Sequence, residues 1–264
     1  MLRFIIVFVL CALIAPTVAS ADSSSVLDES FGTSGRIITS ILDSAVPYAV
    51  AMQSDDRTIA VGLARDHAGR ASMAAVRYTT SGQPDPSFGR QGIVLLPLGT
   101  DDATARAVHV RDDGSILIAG EVRSASGIDM AVVRLHRDGS LDTSFGDGGL
   151  ALIDIYGDDM AFALSEQDDG KIVLAGIATG EAHPDAAIAR LTAHGTLDEE
   201  FGSEGSVHTD INRSVDELLG MTLDERGRII VVGGSGVGAS EDMLVARYTD
   251  EGELDSTFSD DGIQ

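Results

Sequence analysis

A period of about 57 residues runs through almost the whole sequence, and it limits the folds that the chain can adopt. The period is marked by the motif Leu-Asp-x-x-Phe, which ends in Phe31, Phe145, Phe201 and Phe258, and by a variant with Pro84 in place of Leu, which ends in Phe88. An arginine recurs in the same register as Arg77, Arg134, Arg190 and Arg247, and a glycine recurs as Gly62, Gly120, Gly176 and Gly233. Independent markers with one spacing indicate tandem repeats, in which each copy forms one structural unit.

Four full repeats span residues 32–88, 89–145, 146–201 and 202–258, and residues 254–264 begin a fifth copy or supply a closing strand. Each repeat has four short segments typical of β-strands, which we name a to d. Strand a follows a glycine such as Gly92, strand b alternates along its length, strand c is an apolar run such as Ile116–Ala119, and strand d contains the recurring arginine. An Asp-Gly pair between strands b and c, as at residues 113–114, is typical of a hairpin turn.

Four antiparallel strands in each of four tandem copies predict an all-β chain that folds as a β-propeller, with four blades of about 57 residues. We expect each blade to be one four-stranded sheet with the order a–b–c–d. A β-sandwich is the alternative fold, but a sandwich does not require an in-register repeat.

Three of the repeated motifs resemble those of the delta-60 repeat of secreted bacterial proteins. The motifs are Leu141–Gly146, Asp113–Gly120 and Ala74–Tyr78, and the resemblance covers the chain from Leu27 to Gly262. The resemblance implies a propeller-like fold. It implies no activity, because that family is defined by its repeat and not by catalytic residues.

The first 21 residues have the pattern of a secretory signal peptide. Arg3 precedes an apolar run from Phe4 to Ile14, and the segment ends in Ala-Ser-Ala at residues 19–21. This order of a cation, an apolar run and small residues predicts cleavage after Ala21. We therefore expect a secreted or periplasmic protein with a single repeat domain, residues 22–264. No later segment has the roughly 20 apolar residues that a transmembrane helix requires.

The composition restricts the partners of the chain. It has 42 Asp and Glu against 18 Lys and Arg, a formal charge of -24, and Lys171 is its one lysine. This charge excludes a nucleic-acid partner, because phosphate binding requires clustered cations. Cys11, the one cysteine, lies in the predicted signal peptide, so the mature chain has no thiol for catalysis or for disulfides. An extracellular protein or a glycan is the partner class that we expect.

The loops fall into two classes, and one class is a candidate binding surface. The b–c turns and the Leu-Asp-x-x-Phe connections are similar in every repeat and share one edge of the blades. The a–b and c–d loops lie on the opposite edge and differ between repeats, as specificity loops on a rigid scaffold do. We name this edge the variable face. Its a–b loops carry a set of acidic residues, which we name the acidic rim: Asp101, Asp102, Asp158, Asp159, Asp216 and Glu217.

The acidic rim predicts either a Ca²⁺ site or a solvated acidic surface, because carboxylate oxygens suit hard cations but also keep a protein soluble. The second interpretation is favoured, since the sequence has neither an EF-hand loop nor the Gly-Gly-x-Gly-x-Asp calcium repeat. The sequence indicates no organic cofactor and no catalytic residue.

Two further sets of residues are interpreted as structural. Asp129, Asp185 and Asp242 each precede the recurring arginine by five residues, and we expect them to be its hydrogen-bond or ion-pair partners. The six histidines occupy unrelated positions in the repeat and include no His-x-x-x-His pair. The sequence therefore does not predict a catalytic zinc site.

The expected function is that of a non-catalytic scaffold or binding module. Two alternatives stay open. One is a metal-assisted hydrolase or a Ca²⁺-binding surface protein that uses the acidic rim. The other is a structural fragment that completes its ring by self-association through the incomplete fifth repeat. For a monomer, we expect residues 254–264 to pair with the N-terminal repeat and lock the ring.

Overall fold

The computed structural model describes residues 27–98, 102–124, 127–180, 183–211, 213–237 and 240–264, so the predicted signal peptide and Asp101 lie outside the described residues. The regular structure of the described residues consists of strands. They are β1 (Ser44–Met52), β2 (Thr58–Arg65), β3 (Ala71–Tyr78), β4 (Ile93–Leu96), β5 (Ala103–Val110), β6 (Ile116–Arg123), β7 (Ile128–Leu135), β8 (Leu150–Ile153), β9 (Asp159–Glu166), β10 (Ile172–Thr179), β11 (Pro184–Leu191), β12 (Ser206–Thr209), β13 (Val215–Leu223), β14 (Ile229–Val237) and β15 (Ser240–Tyr248). In the same residues, no helix is long and apolar enough to cross a membrane.

The strands form four antiparallel sheets, which confirms the predicted all-β fold with four blades. Blade 1 has the strand order β1-β2-β3-β4, blade 2 has β5-β6-β7-β8, blade 3 has β9-β10-β11-β12 and blade 4 has β13-β14-β15. The first strands of successive blades pack on one another, β1 on β5, β5 on β9 and β9 on β13. This packing places the first strand of each blade nearest to a common centre, as in a β-propeller.

The strands are grouped differently from the predicted order a–b–c–d. Each sheet joins strands b, c and d of one repeat to strand a of the next, so β4 pairs with β3 of the preceding repeat. The Leu-Asp-x-x-Phe connection is the cause, because it folds back onto strand d: Asp85 N donates to the Arg77 carbonyl at 2.9 Å, and Arg77 N donates to the Gly92 carbonyl at 2.9 Å. The strand directions are as predicted, so the two classes of loop lie on opposite edges.

The b–c turns have the predicted backbone conformation. Gly114, Gly170 and Gly227 have φ angles of 83°, 84° and 74°, a region in which a Cβ atom is strained. Blade 1 has Asp56 at this turn, with φ of 61°, and aspartate is one of the few residues that tolerate it. The turns therefore fix the register of strands b and c in every blade.

The apolar core lies between the blades. Ile59 and Met73 of blade 1 are fully buried in one cluster with Ile118 and Val133 of blade 2. Corresponding clusters join blade 2 to blade 3 and blade 3 to blade 4. Within the described residues, blades 2 and 3 therefore bury both of their faces, whereas blades 1 and 4 each have one face that no other blade covers.

The C-terminal segment does not close a ring in the way that we expected. Ile263 lies opposite Ala246 of β15, and Gln264 N donates to the Val245 carbonyl at 2.8 Å. The segment therefore takes the place of a fourth strand in its own blade and does not pair with the described part of the N-terminal repeat. The physical reason is the grouping described above, in which strand a always extends the sheet that precedes it.

The predicted strand a of the first repeat, residues 36–41, is not a strand, because the described residues contain no preceding sheet that it could extend. It covers part of blade 1 instead, where Ile41 joins Ala74 and Val76 in a small core cluster. The four blades thus form an arc with two uncovered ends. Val50 of β1 is 68% exposed at one end, and Met243 of β15 is 84% exposed at the other.

Candidate functional site

The edge opposite the variable face is held by one repeated set of contacts. In blade 2, Arg134 Nε donates to Asp142 Oδ2 at 2.7 Å, while Asp142 Oδ1 accepts from the amide and the hydroxyl of Ser144 at 3.0 and 2.6 Å. The Arg134 guanidinium also lies 4.7 Å from the centre of the Phe145 ring. The hydrogen bonds from Ser144, together with Arg134, lower the pKa of Asp142 to about 2. These polar residues are therefore used to hold the blade.

The same 2.7 Å contact recurs in the other blades, in the pairs Arg77–Asp85, Arg190–Asp198 and Arg247–Asp255. The expected pairing of the arginines with Asp129, Asp185 and Asp242 is wrong. The connection after strand d folds back onto that strand, and it brings its own aspartate to the arginine. As a result, Asp185 is available for other contacts.

The acidic rim does not converge on one point within the described residues. Asp102 Oδ1 accepts from the Ala71 amide at 2.7 Å, and Asp158 Oδ1 accepts from the Ile128 amide at 3.0 Å. In both cases the carboxylate belongs to an a–b loop and the amide to the first residue of a strand d in the preceding blade. These two carboxylates therefore tie successive blades together. Asp101 lies outside the described residues.

Two other rim residues, Asp159 and Asp216, are fully buried. Each accepts a 2.6 Å hydrogen bond from an amide of its own loop, so both carboxylates hold loop conformation. Burial raises the pKa of Asp159 to about 6, and the carboxylates of Asp154 and Asp129 raise it further. Glu217 lies within β13.

A different polar group on the variable face brings two histidines and two aspartates together. His183 Nδ1 lies 2.7 Å from Asp185 Oδ1, and His208 Nε2 lies 3.0 Å from Asp185 Oδ2. Ligand atoms of His183, Asp185 and Asp210 all lie within 4.8 Å of one another. We name these four residues the His–Asp cluster.

The register of β11 and β12 explains why the four side chains meet. Ala187 of β11 lies opposite His208 of β12 and Ala186 lies opposite Thr209, so Asp185 and Asp210 are the next residues on the two chains. Side chains two residues apart on a strand share one face, and diagonal neighbours across two strands are within reach of long side chains. His183 lies one residue before β11, and its ring reaches Asp185 from the end of that strand.

The sequence does contain a signal for this cluster, namely two His-x-Asp motifs at residues 183–185 and 208–210. A His-x-x-x-His pattern suits ligands on a helix, whereas the corresponding spacing on a strand is two residues. The motifs lie 25 residues apart, and only the pairing of β11 with β12 shows that they face each other.

The surroundings leave the His–Asp cluster open on one side. The Asp185 side chain is almost buried, while Asp210 is exposed and the His208 side chain is 41% exposed. The Tyr156 ring stands edge-on against the His208 ring, with centroids 5.0 Å apart. Burial raises the pKa of Tyr156, and the charge of Asp185 adds to the effect. A small ligand from the solvent can therefore reach the cluster from the exposed side, next to the Tyr156 ring.

Blade 2 has the same pair of aspartates without the histidines. Asp129 and Asp154 occupy the positions of Asp185 and Asp210, but Gly127 and Leu152 stand where blade 3 has His183 and His208. Burial and the charges of Asp154 and Asp158 raise the pKa of Asp129. The imidazoles are thus specific to blade 3 among the described blades.

A cleft with a volume of about 720 Å³ opens on the opposite edge, between the b–c turns of blades 3 and 4. Its lining includes Asp168, Asp169 and Glu225, which are exposed turn residues. Exposed carboxylates of this kind form an acidic surface groove. The His–Asp cluster combines a nearly buried carboxylate with two imidazoles, and it is the better candidate for a site.

Solved structures that are similar to this chain come from proteins of different kinds. An endo-arabinase from Bacteroides thetaiotaomicron VPI-5482 has a TM-score of 0.40 and 13% identity, over 74% of this chain and 72% of the other. A GH43_1 enzyme from Xanthomonas citri has a TM-score of 0.42 and 13% identity, over 78% and 70%. The extracellular domains 1–2 of Drosophila Semaphorin 1b have a TM-score of 0.40 and 12% identity, over 77% of this chain and 40% of the other.

A further similar solved structure is longer than this chain. The chain spans 61% of its length, which is less than two thirds. At TM-scores below 0.5 none of these similarities bears on activity. No curated protein matches the chain.

A family model matches all four repeats, at residues 53–88, 111–145, 167–201 and 227–258, which together make up just over half of the chain. Each match begins at or near a b–c turn and ends at the phenylalanine of the Leu-Asp-x-x-Phe motif. The more specific resemblance to the delta-60 repeat stays a prediction. The chain belongs to the family described as domain of unknown function (DUF5122) beta-propeller.

Proposed function

We propose that this protein is a non-catalytic binding module, secreted or periplasmic, that takes its ligand on the variable face of blade 3. The observation that supports this proposal is the His–Asp cluster. It gathers two imidazoles and two carboxylates that the corresponding positions of blade 2 do not provide together. Residues that depart from the repeat at one point of a rigid scaffold are where specificity is expected.

The hydrogen bonds made by the repeated polar residues support a binding role over a catalytic one. The arginine–aspartate pairs are bound within their own blades, and the rim carboxylates of Asp102, Asp158 and Asp159 accept hydrogen bonds from backbone amides. A general acid or a nucleophile would have to be free to meet a substrate. Metal-assisted hydrolysis on the acidic rim is accordingly the weaker alternative.

The proposal is tested with the mature chain, residues 22–264, and two variants. The first is the variable-face variant His208→Ala/Asp210→Asn, and the matched control on the opposite edge is Asp168→Asn/Glu225→Gln. Each is applied to a glycan microarray and to the proteins of the producing cell's culture medium. We expect a ligand that binds the wild-type chain and the control but not the variable-face variant.

Two results would contradict the proposal. One is a ligand that binds the variable-face variant as well as the wild-type chain. The other is turnover of chromogenic ester, glycoside or phosphate substrates by the wild-type chain, with or without added divalent ions. The proposed localisation is checked separately, because the N-terminal residue of the exported protein should be Asp22.

Self-association is a second candidate function, and the exposed ends of the arc favour it. Met243 is 84% exposed in blade 4, whereas Met73, Met130 and Ala186, which take its place in the other blades, are buried under the next blade. An uncovered half of a blade–blade interface is a surface on which another copy can pack.

A further inference from the structure

We propose that the His–Asp cluster binds one divalent transition-metal ion, with Zn²⁺ as the best match to its donors. This inference rests on the proposed binding role of the variable face and names the ligand. The ligands would be His183, Asp185, His208 and Asp210, with Asp185 at the centre of the group.

The donor set selects the class of ion. Imidazole nitrogens and carboxylate oxygens together suit Zn²⁺ and its neighbours in the first transition series. Ca²⁺ and Mg²⁺ take oxygen ligands alone, so two imidazoles select against them. This cluster therefore differs in chemistry from the acidic rim, which offers carboxylates only.

The distances are short enough for one ion to join His183, Asp185 and Asp210, and His208 contacts the same Asp185 carboxylate. Ligand atoms about 2.0–2.2 Å from a tetrahedral Zn²⁺ lie about 3.4 Å from one another. The contacts of Asp185 with His183 and His208 are 2.7 and 3.0 Å, and the Asp210 oxygen lies within 4.8 Å of the ligand atoms of His183 and Asp185. Binding of one ion by all four residues therefore requires the first two distances to open and the His208 ring to turn from Asp185 toward the ion.

The backbone beneath the cluster is well held. Asp185 pairs with Ala178 in the ladder between β10 and β11, and His208 pairs with Ala187 in the ladder between β11 and β12. The edge-on contact of Tyr156 limits the movement of the His208 ring. Asp185 and His208, which lie on these paired strands, therefore lose little conformational freedom when an ion binds.

Blade 2 has the two aspartates of this site but neither imidazole, so it serves as a comparison. Asp129 and Asp154 repeat the two carboxylates, and like charges on neighbouring strands destabilise a sheet. In blade 3 the imidazoles of His183 and His208 contact Asp185, and a cation would neutralise both aspartates. Four protein ligands complete the coordination of a tetrahedral ion, so the site would hold the ion without an open position for catalysis.

The test is isothermal titration of the metal-free mature chain with zinc chloride, followed by titration with cobalt chloride and visible spectroscopy. We expect one Zn²⁺ per chain and a Co²⁺ spectrum of tetrahedral intensity. His183→Ala and His208→Ala should each weaken binding by more than about tenfold, since each removes a ligand. The matched control is His67→Ala, which removes an exposed imidazole from a c–d loop of blade 1 on the same face.

Circular dichroism establishes that each variant is folded, and the melting temperature with and without Zn²⁺ gives a second readout. The ion should raise the melting temperature of the wild-type chain and of His67→Ala, and leave both cluster variants unchanged. Three results would overturn the inference: no binding by the wild-type chain, binding that survives either cluster substitution, or tighter binding of calcium chloride than of zinc chloride. If the zinc test fails while a glycan or protein ligand depends on the variable face, the inference falls and the proposed function stands.

Discussion

At the scale of single residues, Asp159 links burial to the pH dependence of stability. Its carboxylate is fully buried, and burial raises its pKa from 3.8 to about 6. A carboxyl whose pKa is higher in the folded chain takes up a proton more readily when folded. The contribution of Asp159 to the free energy of unfolding therefore increases as the pH falls from about 7 to about 4. It changes no further once the pH is below the pKa that Asp159 has in the unfolded chain.

Asp159→Asn removes this dependence, because the amide is neutral at every pH. We expect the variant to be more stable than the wild-type chain at pH 7 by about 2–3 kcal/mol, and the difference to vanish near pH 4. The measurement is the free energy of unfolding in urea at pH 7, 5.5 and 4.

The exposed Asp112→Asn serves as the control and should change the free energy of unfolding by less than about 0.5 kcal/mol. A pH-independent difference between Asp159→Asn and the wild-type chain would contradict the assignment. So would an Asp159→Asn chain that is less stable than wild type at pH 7.

Residue roles were predictable from the sequence where the repeat marks them, and not where contacts join distant positions. The b–c turn glycines such as Gly114 have the positive φ of a tight hairpin turn, as predicted. The predicted partner of Arg134 was wrong. The choice between Asp129 and Asp142 depends on how the connection after strand d folds back, and the sequence does not show this. The His–Asp cluster was missed because strand pairing, and not sequence spacing, brings its two motifs together.

At the scale of the strands, the recurring glycine of strand c is explained by a bulge in strand b. Gly176 lies opposite Ala161 and Ala175 lies opposite Ala163. The residue between Ala161 and Ala163 is therefore an extra residue of β9. A Cβ atom on Gly176 would lie 1.8 Å from the carbonyl oxygen of Met160. The sequence identifies this glycine by its register, but the reason for it is visible only in the paired strands.

Gly176→Ala should therefore destabilise the chain by about 3 kcal/mol, because the methyl group forces the backbone of β9 away from β10. Gly148→Ala is the comparison. Gly148 has φ of 62° with no atom within 4 Å of the position of a Cβ. Its substitution should therefore lower the free energy of unfolding only by the conformational strain, about 1 kcal/mol. The measurement is urea unfolding at pH 7. Equal losses for the two variants would show that the close approach at Gly176 is not what requires glycine.

At the scale of the whole molecule, the fold and the number of blades were predictable, while the arrangement of the ends was not. A period of about 57 residues with four strand patterns is sufficient to predict four blades. It does not reveal which sheet strand a extends, since both neighbours have the same sequence pattern. That one choice places residues 262–264 on β15 and leaves both ends of the arc uncovered.

The uncovered ends predict association of copies from head to tail. Val232 and Met243 of blade 4 take positions that are buried in the other blades, and Val50 and Met52 of β1 are exposed at the opposite end. These two surfaces correspond to the two sides of each internal blade–blade contact. A contact between unlike surfaces is heterologous and adds further copies as concentration rises. Residues 27–41 cover part of blade 1, so the association should be weak and reversible.

Sedimentation velocity over a wide concentration range should therefore show an average mass that rises with concentration. Met243→Glu places a charge in the contact and should keep the chain monomeric, because an unpaired charge is costly to bury. Leu152→Glu is the matched control, since Leu152 is 52% exposed in blade 2 but lies away from both ends. It should associate like the wild-type chain. A wild-type chain that stays monomeric at every concentration, or equal effects of the two substitutions, would show that the ends of the arc do not bind each other.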